Sequence, residues 1–288
     1  MLLVIGCGDV NTSTDASLPP DVSKSCNPTA KFNSPTPVPG LETTRGATAR
    51  LSTDELTIYF TDTSDLWTAH RNTTAEAFGP PIPLTSLNSS SLESNPSISP
   101  DGLTLWFDSN RIATEGYHLY VATRSSDLVE FNPPVLATTL NGMDTKQFDA
   151  QPFVTADGKE FWFISTRQGG FGGEDIWRAT STGNGFAIPT AISELNSPSD
   201  EWLPTLSSDR LTVYFASRRA VIGAKGNFDI WMSHRTGAED RFPPPVLVDE
   251  LNTTGNDLAT WMSADNCRMY GATDVSGTYL IYVATRQR

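Results

Sequence analysis

Between residues 32 and 288, apolar and polar positions alternate with a period of two inside short runs, and the runs themselves recur. Five stretches share one pattern: ARLSTDELTIYF, PSISPDGLTLWF, PFVTADGKEFWF, PTLSSDRLTVYF and TWMSADNCRMYG. Each has a Ser or Thr two residues before an Asp (Asp54, Asp101, Asp157, Asp209, Asp265) and an aromatic five residues after it (Tyr59, Trp106, Trp162, Tyr214, Tyr270). The pattern predicts a strand, a tight turn at the Asp, and a second strand. A third strand is predicted at DLWTAHR, HLYVATR, DIWRATS, DIWMSHR and LIYVATR, rich in β-branched and aromatic residues. The Pro-rich stretches FGPPIPLTSLN, FNPPVLATTLN, FAIPTAISELN and FPPPVLVDELN read as a fourth strand. Proline near its start suits an outer edge that needs fewer ladder donors.

Four antiparallel strands repeating about every 50 residues describe a propeller blade. No segment sustains a 3.6-residue period, so helical repeats are excluded. The expected fold is all-β: a five-bladed β-propeller over 32–288. Its fifth unit ends the chain at YVATRQR without a Pro-rich stretch, whereas Phe32–Leu41 has the missing Phe, Pro and Leu spacing. The N-terminal segment is therefore expected to supply the outermost strand of the last blade, closing the ring.

PSISPDGLTLWFDSNR, PFVTADGKEFWFISTRQGGFGGEDIW and PTLSSDRLTVYFASRR resemble the WD40-like repeat of TolB-type propellers. That repeat runs Pro, apolar, Ser, any residue, Asp-Gly, apolar-aromatic, Ser, Arg, then Asp-Ile-Tyr/Trp. Units 2, 3 and 4 match closely; units 1 and 5 lack the Pro and the Arg, and unit 5 has Asp265-Asn266 in place of Asp-Gly. The resemblance implies the fold and a protein partner. It is nearly silent on chemistry, because one propeller hosts many functions.

The chain opens MLLVIGCGDV, and Val4-Ile5-Gly6-Cys7 resembles a bacterial lipobox, which implies a lipid on Cys7 and a membrane anchor. Six residues precede Cys7 and carry no basic charge, so residues 1–7 depart from a full lipoprotein signal. Residues 8–31 are rich in Ser, Thr, Asp and Pro, too polar to build a core, and read as a tether. Export implies an oxidising compartment in which Cys26, just before the closing strand, and Cys267, just after the first turn of blade 5, are expected to form a disulfide that staples the closure; the alternative is two free thiols. The localisation expected is a bacterial envelope, periplasmic or surface.

Twenty Lys and Arg stand against 33 Asp and Glu, a formal charge of −13. That balance excludes a nucleic-acid partner, which needs a basic stripe. Part of the acidity recurs at one repeat position: Glu93, Asp149, Glu201 and Asp257, with Gly46 and neighbouring Arg45 in unit 1. These residues are expected where the chain enters each inner strand, near a mouth of the channel. Four acids around an axis could hold a cation or a basic peptide and raise one another's pKa; alternatively each caps backbone N–H groups between blades. Trp202, beside Glu201, could grip a ligand or pack between blades 3 and 4.

The turn Asp residues read as structural. Arg167 is expected to pair with Asp175, and Arg219 with Asp229. The Gly169–Gly173 loop lacks the helix and Lys of a phosphate cradle and reads as a turn. His70, His118 and His234 fall in separate blades, so no metal site is expected. No cofactor and no catalytic residue is expected either. The function read from these features is an exported, lipid-anchored binding or scaffold module for an envelope protein, peptide or glycan; the alternative is a carbohydrate-active or carbohydrate-binding propeller using the acidic mouth.

Overall fold

The structure, a computed structural model, describes residues 26–112, 116–142 and 147–286. Cys7 and residues 8–25 of the expected tether lie outside the described residues. Five four-stranded antiparallel sheets stand in a ring, and no helix occurs among the described residues. The inner strands are Ala49–Leu51, Glu93–Ile98, Asp149–Val154, Glu201–Leu206 and Asp257–Met262 in blades 1 to 5. The second strands are Thr57–Asp62, Thr104–Ser109, Glu160–Ser165, Thr212–Ser217 and Arg268–Thr273.

Each first turn is set by its Asp and the hydroxyl two residues earlier. In blade 1, Ser52 Oγ donates to Asp54 Oδ1 at 2.6 Å, and Leu56 N donates to the same oxygen at 3.0 Å. Blades 2 to 5 repeat the Ser/Thr–Asp bond at Ser99–Asp101, Thr155–Asp157, Ser207–Asp209 and Ser263–Asp265. The Asn that ends the Pro-rich stretch closes the outer edge: Asn88, Asn141, Asn196 and Asn252 each accept from a third-strand N–H within 2.6–2.8 Å. Such local side-chain bonds satisfy backbone donors that a short strand leaves open.

The repeated proline explains how the inner strands meet. Asn95, Gln151 and Leu203 precede Pro96, Pro152 and Pro204 and hold left-handed φ of 54°, 56° and 53°. The ladder shifts register there, and the bulge turns an N–H sideways to the preceding blade. Asn95 N donates to Thr61 Oγ1, Gln151 N to Asp108 Oδ1, and Leu203 N to Gln151 Oε1.

The outer seams are built from a cation and two rings. Arg71, Arg124 and Arg286 follow the third strands of blades 1, 2 and 5 and donate Nη2 to Tyr270, Tyr59 and Tyr214 of the preceding blade at 3.2, 3.2 and 2.7 Å. Each guanidinium also lies 3.9–4.5 Å from the ring centre of Phe78, Phe131 or Phe32 in its own blade.

Closure is by the N-terminal segment. Thr36–Pro37 pairs antiparallel with the last strand, Thr36 opposite Val283 and Pro37 opposite Tyr282. Cys26 and Cys267 are joined, with Cα atoms 5.1 Å apart. Cys26 N donates to Asp265 O at 2.7 Å, and Arg286 Nη1 donates to the carbonyl oxygens of Asn27 and Pro28. First and last residues of the propeller thus share one buttress.

Candidate functional site

The repeated carboxylates occupy the first position of their inner strands and are fully buried: Glu93, Asp149, Glu201 and Asp257 are all 0% exposed. Their oxygens are engaged by the segment that leads in from the preceding blade and, in blades 2 to 4, by an arginine that follows the second strand. Glu201 accepts from Ser197 N at 3.0 Å, from the hydroxyls of Ser197 and Ser217, and from Arg219 Nη2 at 2.9 Å. Glu93 repeats the set with Ser89, Ser109 and Arg111. Asp149 accepts from Gly142 N at 2.7 Å and Arg167 Nη2 at 2.6 Å; Asp257 accepts from Thr253 N at 2.6 Å. Blade 1 has no such carboxylate because a Cβ at Gly46 would lie 2.6 Å from the Thr61 carbonyl oxygen. Arg45 beside it is exposed.

The expectation of acids presented to the channel is thereby corrected: these four groups hold strand starts and offer a ligand no surface. Burial, rather than mutual repulsion, pushes the Glu201 and Asp257 carboxyls above the ordinary range. The expected arginine pairs are corrected too. Arg167 and Arg219 bind Asp149 and Glu201, not Asp175 and Asp229, and also donate to the Leu140 and Leu195 carbonyl oxygens. Asp175 and Asp229 instead accept from backbone N–H groups at Phe171 and Gly172, and at Lys225 and Gly226. The Gly169–Gly173 loop is thus tied to Asp175.

Trp202 is half-buried and stacks on Phe228 of its own blade with ring centres 3.9 Å apart. Its indole donates to Glu174 of blade 3, and Arg218 lies over both rings. Leu258, Ala47 and Tyr279 complete this cluster from blades 5 and 1. Burial raises the pKa of Glu174 and pushes that of Tyr279 up to about 12. Sequence reasoning isolated Trp202 and missed Glu174, Arg218 and Tyr279, each one residue outside a strand at a position whose residue type varies among the five units.

Inside the channel stands a residue the sequence reading passed over. Arg50 occupies the inner-strand tier held elsewhere by Ser97, Phe153, Thr205 and Trp261, and is 2% exposed. Its Nη1 donates to Thr260 O at 2.8 Å and to Thr205 Oγ1 at 3.4 Å, and its guanidinium lies 4.8 Å from the Phe153 ring centre. The side chain therefore reaches from blade 1 to blades 3, 4 and 5. Burial lowers its pKa to about 9, opposed by Asp108. The visible signal was a charge at a tier that is uncharged in the other four units. Below Arg50, Leu51, Ile98, Val154, Leu206 and Met262 form an apolar funnel of about 60 Å³.

Asp108 is 1% exposed and accepts from Ser94 Oγ, Asn95 Nδ2 and Gln151 N. Burial raises its pKa to about 6, against these three donors. A folded pKa above the unfolded one adds stability that is complete below about pH 4 and lost as pH rises through about 6. The stability of wild type relative to Asp108→Asn is expected to grow by on the order of 3 kcal/mol between about pH 7.5 and pH 4. Urea unfolding across that range measures it, and a flat difference would contradict the burial-driven shift.

His70 and His234 bond Thr57 and Thr212 of their own blades, and His118 opens the third strand of blade 2. Among the described residues no three His, Cys, Asp or Glu side chains gather as a metal site.

Fold and channel together define a closed five-bladed β-propeller whose repeat residues are spent on structure. No family model and no curated protein matches the chain. Among solved structures, it is similar to a thermostable family-43 glycoside hydrolase, at 12% identity and TM-score 0.58 over 87% of this chain and 92% of that one. A putative glycoside hydrolase from Bacteroides ovatus matches at 13% identity and TM-score 0.57, over 92% and 94%. TolB from Acinetobacter baumannii matches at 17% identity and TM-score 0.48; the match covers 83% of this chain and about half, 54%, of TolB. At these identities the likeness establishes the fold alone.

Proposed function

We propose that this chain is an exported binding or scaffold module of a bacterial cell envelope, lipid-anchored through Cys7, which engages a protein, peptide or glycan without hydrolysing it. The observation that carries this reading is the closure of the inner-strand carboxylates. Most glycoside hydrolases use two carboxyl groups flanking one sugar, and Glu93, Asp149, Glu201 and Asp257 are each buried and bonded to the segment that leads into their own strand. The disulfide between Cys26 and Cys267 supports an oxidising compartment.

A glycan ligand is supported by the Trp202 cluster, where half-buried Trp202 and Glu174 stand beside exposed Arg218 over the buried Phe228 ring. A photo-crosslinking residue at Arg45 or at Arg218 in the full chain tests the binding reading. A discrete envelope adduct that purified wild-type chain competes away is expected. Absence of any such adduct, with no retention on a glycan array, would contradict it. Cys7→Ser is expected to move the chain from the membrane to the soluble fraction; an unchanged distribution would remove the anchor from the reading.

A further inference from the structure

Three of the five outer seams share one bond, and the other two depart from it in different ways. Where blades 5 and 1, 1 and 2, and 4 and 5 meet, a tyrosine hydroxyl accepts from an arginine Nη2. Between blades 3 and 4, Trp162 stands at the tyrosine position. An indole N–H can only donate, and here it donates to Glu160 Oε2 at 3.0 Å. The arginine is nevertheless kept. Arg235 is 3% exposed, 4.2 Å from the Phe242 ring centre, and donates Nε to Arg210 O and Nη1 to Asp240 O. Its Nη2 is buried and has no acceptor among the described residues.

The seam between blades 2 and 3 also carries a tryptophan, Trp106, but there Ser181 replaces the arginine and Phe186 packs 6.3 Å from the indole. Only the seam between blades 3 and 4 keeps the cation and loses its acceptor. A polar cavity of about 230 Å³ lies at this point, lined by Arg178, Arg235, Arg241, Ser193, Glu194 and Glu239 among others. Arg178, also on the lining, pairs Nη1 with Glu160 Oε1 at 3.3 Å and keeps a buried Nε without a partner among the described residues. Burial lowers the Arg235 pKa; Glu160 and Glu239 oppose the shift while Arg178 and Arg210 add to it.

We propose that this seam binds a small hydroxylated monocarboxylate, such as a sugar acid, with its carboxylate on Arg235 and Arg178. Guanidinium groups match a carboxylate in shape and charge. Glu194, Glu239 and Asp240 on the lining disfavour a dianion such as phosphate and offer acceptors to ligand hydroxyls. The ligand is a free acid or the terminal residue of an acidic glycan, which share this chemistry. The proposal rests on the binding-module reading and names one ligand class for it; failure of this site alone leaves the envelope adduct at Arg45 or Arg218 unaffected.

The test is calorimetric titration of the full chain with D-glucuronate, a glucuronate-terminated oligosaccharide, D-glucose and inorganic phosphate. Saturable binding of glucuronate or the oligosaccharide is expected, with glucose and phosphate at least about tenfold weaker. Tighter binding of the oligosaccharide assigns the glycan source, and equal binding the free acid. Trp162→Tyr restores the hydroxyl found in three sister seams, giving Arg235 an internal acceptor. It should fold, as read by its thermal transition, and bind at least about tenfold more weakly. Arg235→Met is the second variant and should lose binding likewise. No saturation in wild type, phosphate binding tighter than glucuronate, or unchanged affinity in both variants would overturn the proposal.

Discussion

Replacing Glu201 by Ala is expected to destabilise the propeller by about 3–5 kcal/mol, the usual consequence of breaking a buried ion pair from one side. The substitution leaves Arg219 without its carboxylate and removes the acceptor for Ser197 N and for the hydroxyls of Ser197 and Ser217. Arg219 cannot swing into water cheaply. Its guanidinium lies 5.1 Å from the ring centres of both Phe215 and Trp231 and also donates to Leu195 O. The neighbouring residue supplies the contrast. Asp200 pairs with Arg218 at 2.8 Å, where the arginine side chain is 42% exposed, and accepts from Glu174 N at 3.2 Å, so Asp200→Ala should cost only about 1–2 kcal/mol. Denaturant unfolding of the two variants separates a structural lock from an acid held ready for a ligand. Equal, small effects would mean that Glu201 is dispensable to the fold.

Reducing the Cys26–Cys267 bond is the second large effect. The crosslink spans a sequence separation of 241 residues, for which loop entropy in the unfolded chain gives about 5 kcal/mol at most. The loss also loosens the start of the segment that completes blade 5, which is then held by the pairing at Thr36–Pro37, by the backbone bonds of Asn33 and Val38, by buried Phe32 and Val38, and by Arg286. A fall in the thermal midpoint of roughly 10 °C is expected in reductant or in the double Cys26→Ser, Cys267→Ser variant. Reduction without a shift would show that strand pairing alone closes the ring.

The repeat was legible because its residues act locally. A Ser or Thr two before an Asp makes a turn whatever surrounds it, and Asp54 and Ser52 do so as read. The closing strand was legible from a count, since the fifth unit lacked its Pro-rich stretch and Phe32–Leu41 supplied one. What sequence could not give was the direction in which a carboxylate points at a strand start. Asp149 lies opposite Ser165 in the ladder, and Arg167, two residues beyond, folds back to the same place. Asp175 looked nearer along the chain but faces its own loop. Trp162 and Tyr214 read as equivalent aromatics in sequence; only the seam shows that one accepts a hydrogen bond and the other cannot. Positions that obey the repeat hold the propeller together, and its breaks at Arg50, Trp162 and Trp202 are where the five units differ in chemistry.

Glycoside turnover by the purified full chain decides between a binding module and a hydrolase built on the same fold. With glycan and aryl-glycoside panels at about pH 5 to pH 7, where a carboxyl pair would be active, no sugar release above buffer is expected. Release that follows the folded protein and disappears in Glu174→Gln, the half-buried acid beside Trp202, would contradict the binding-module account.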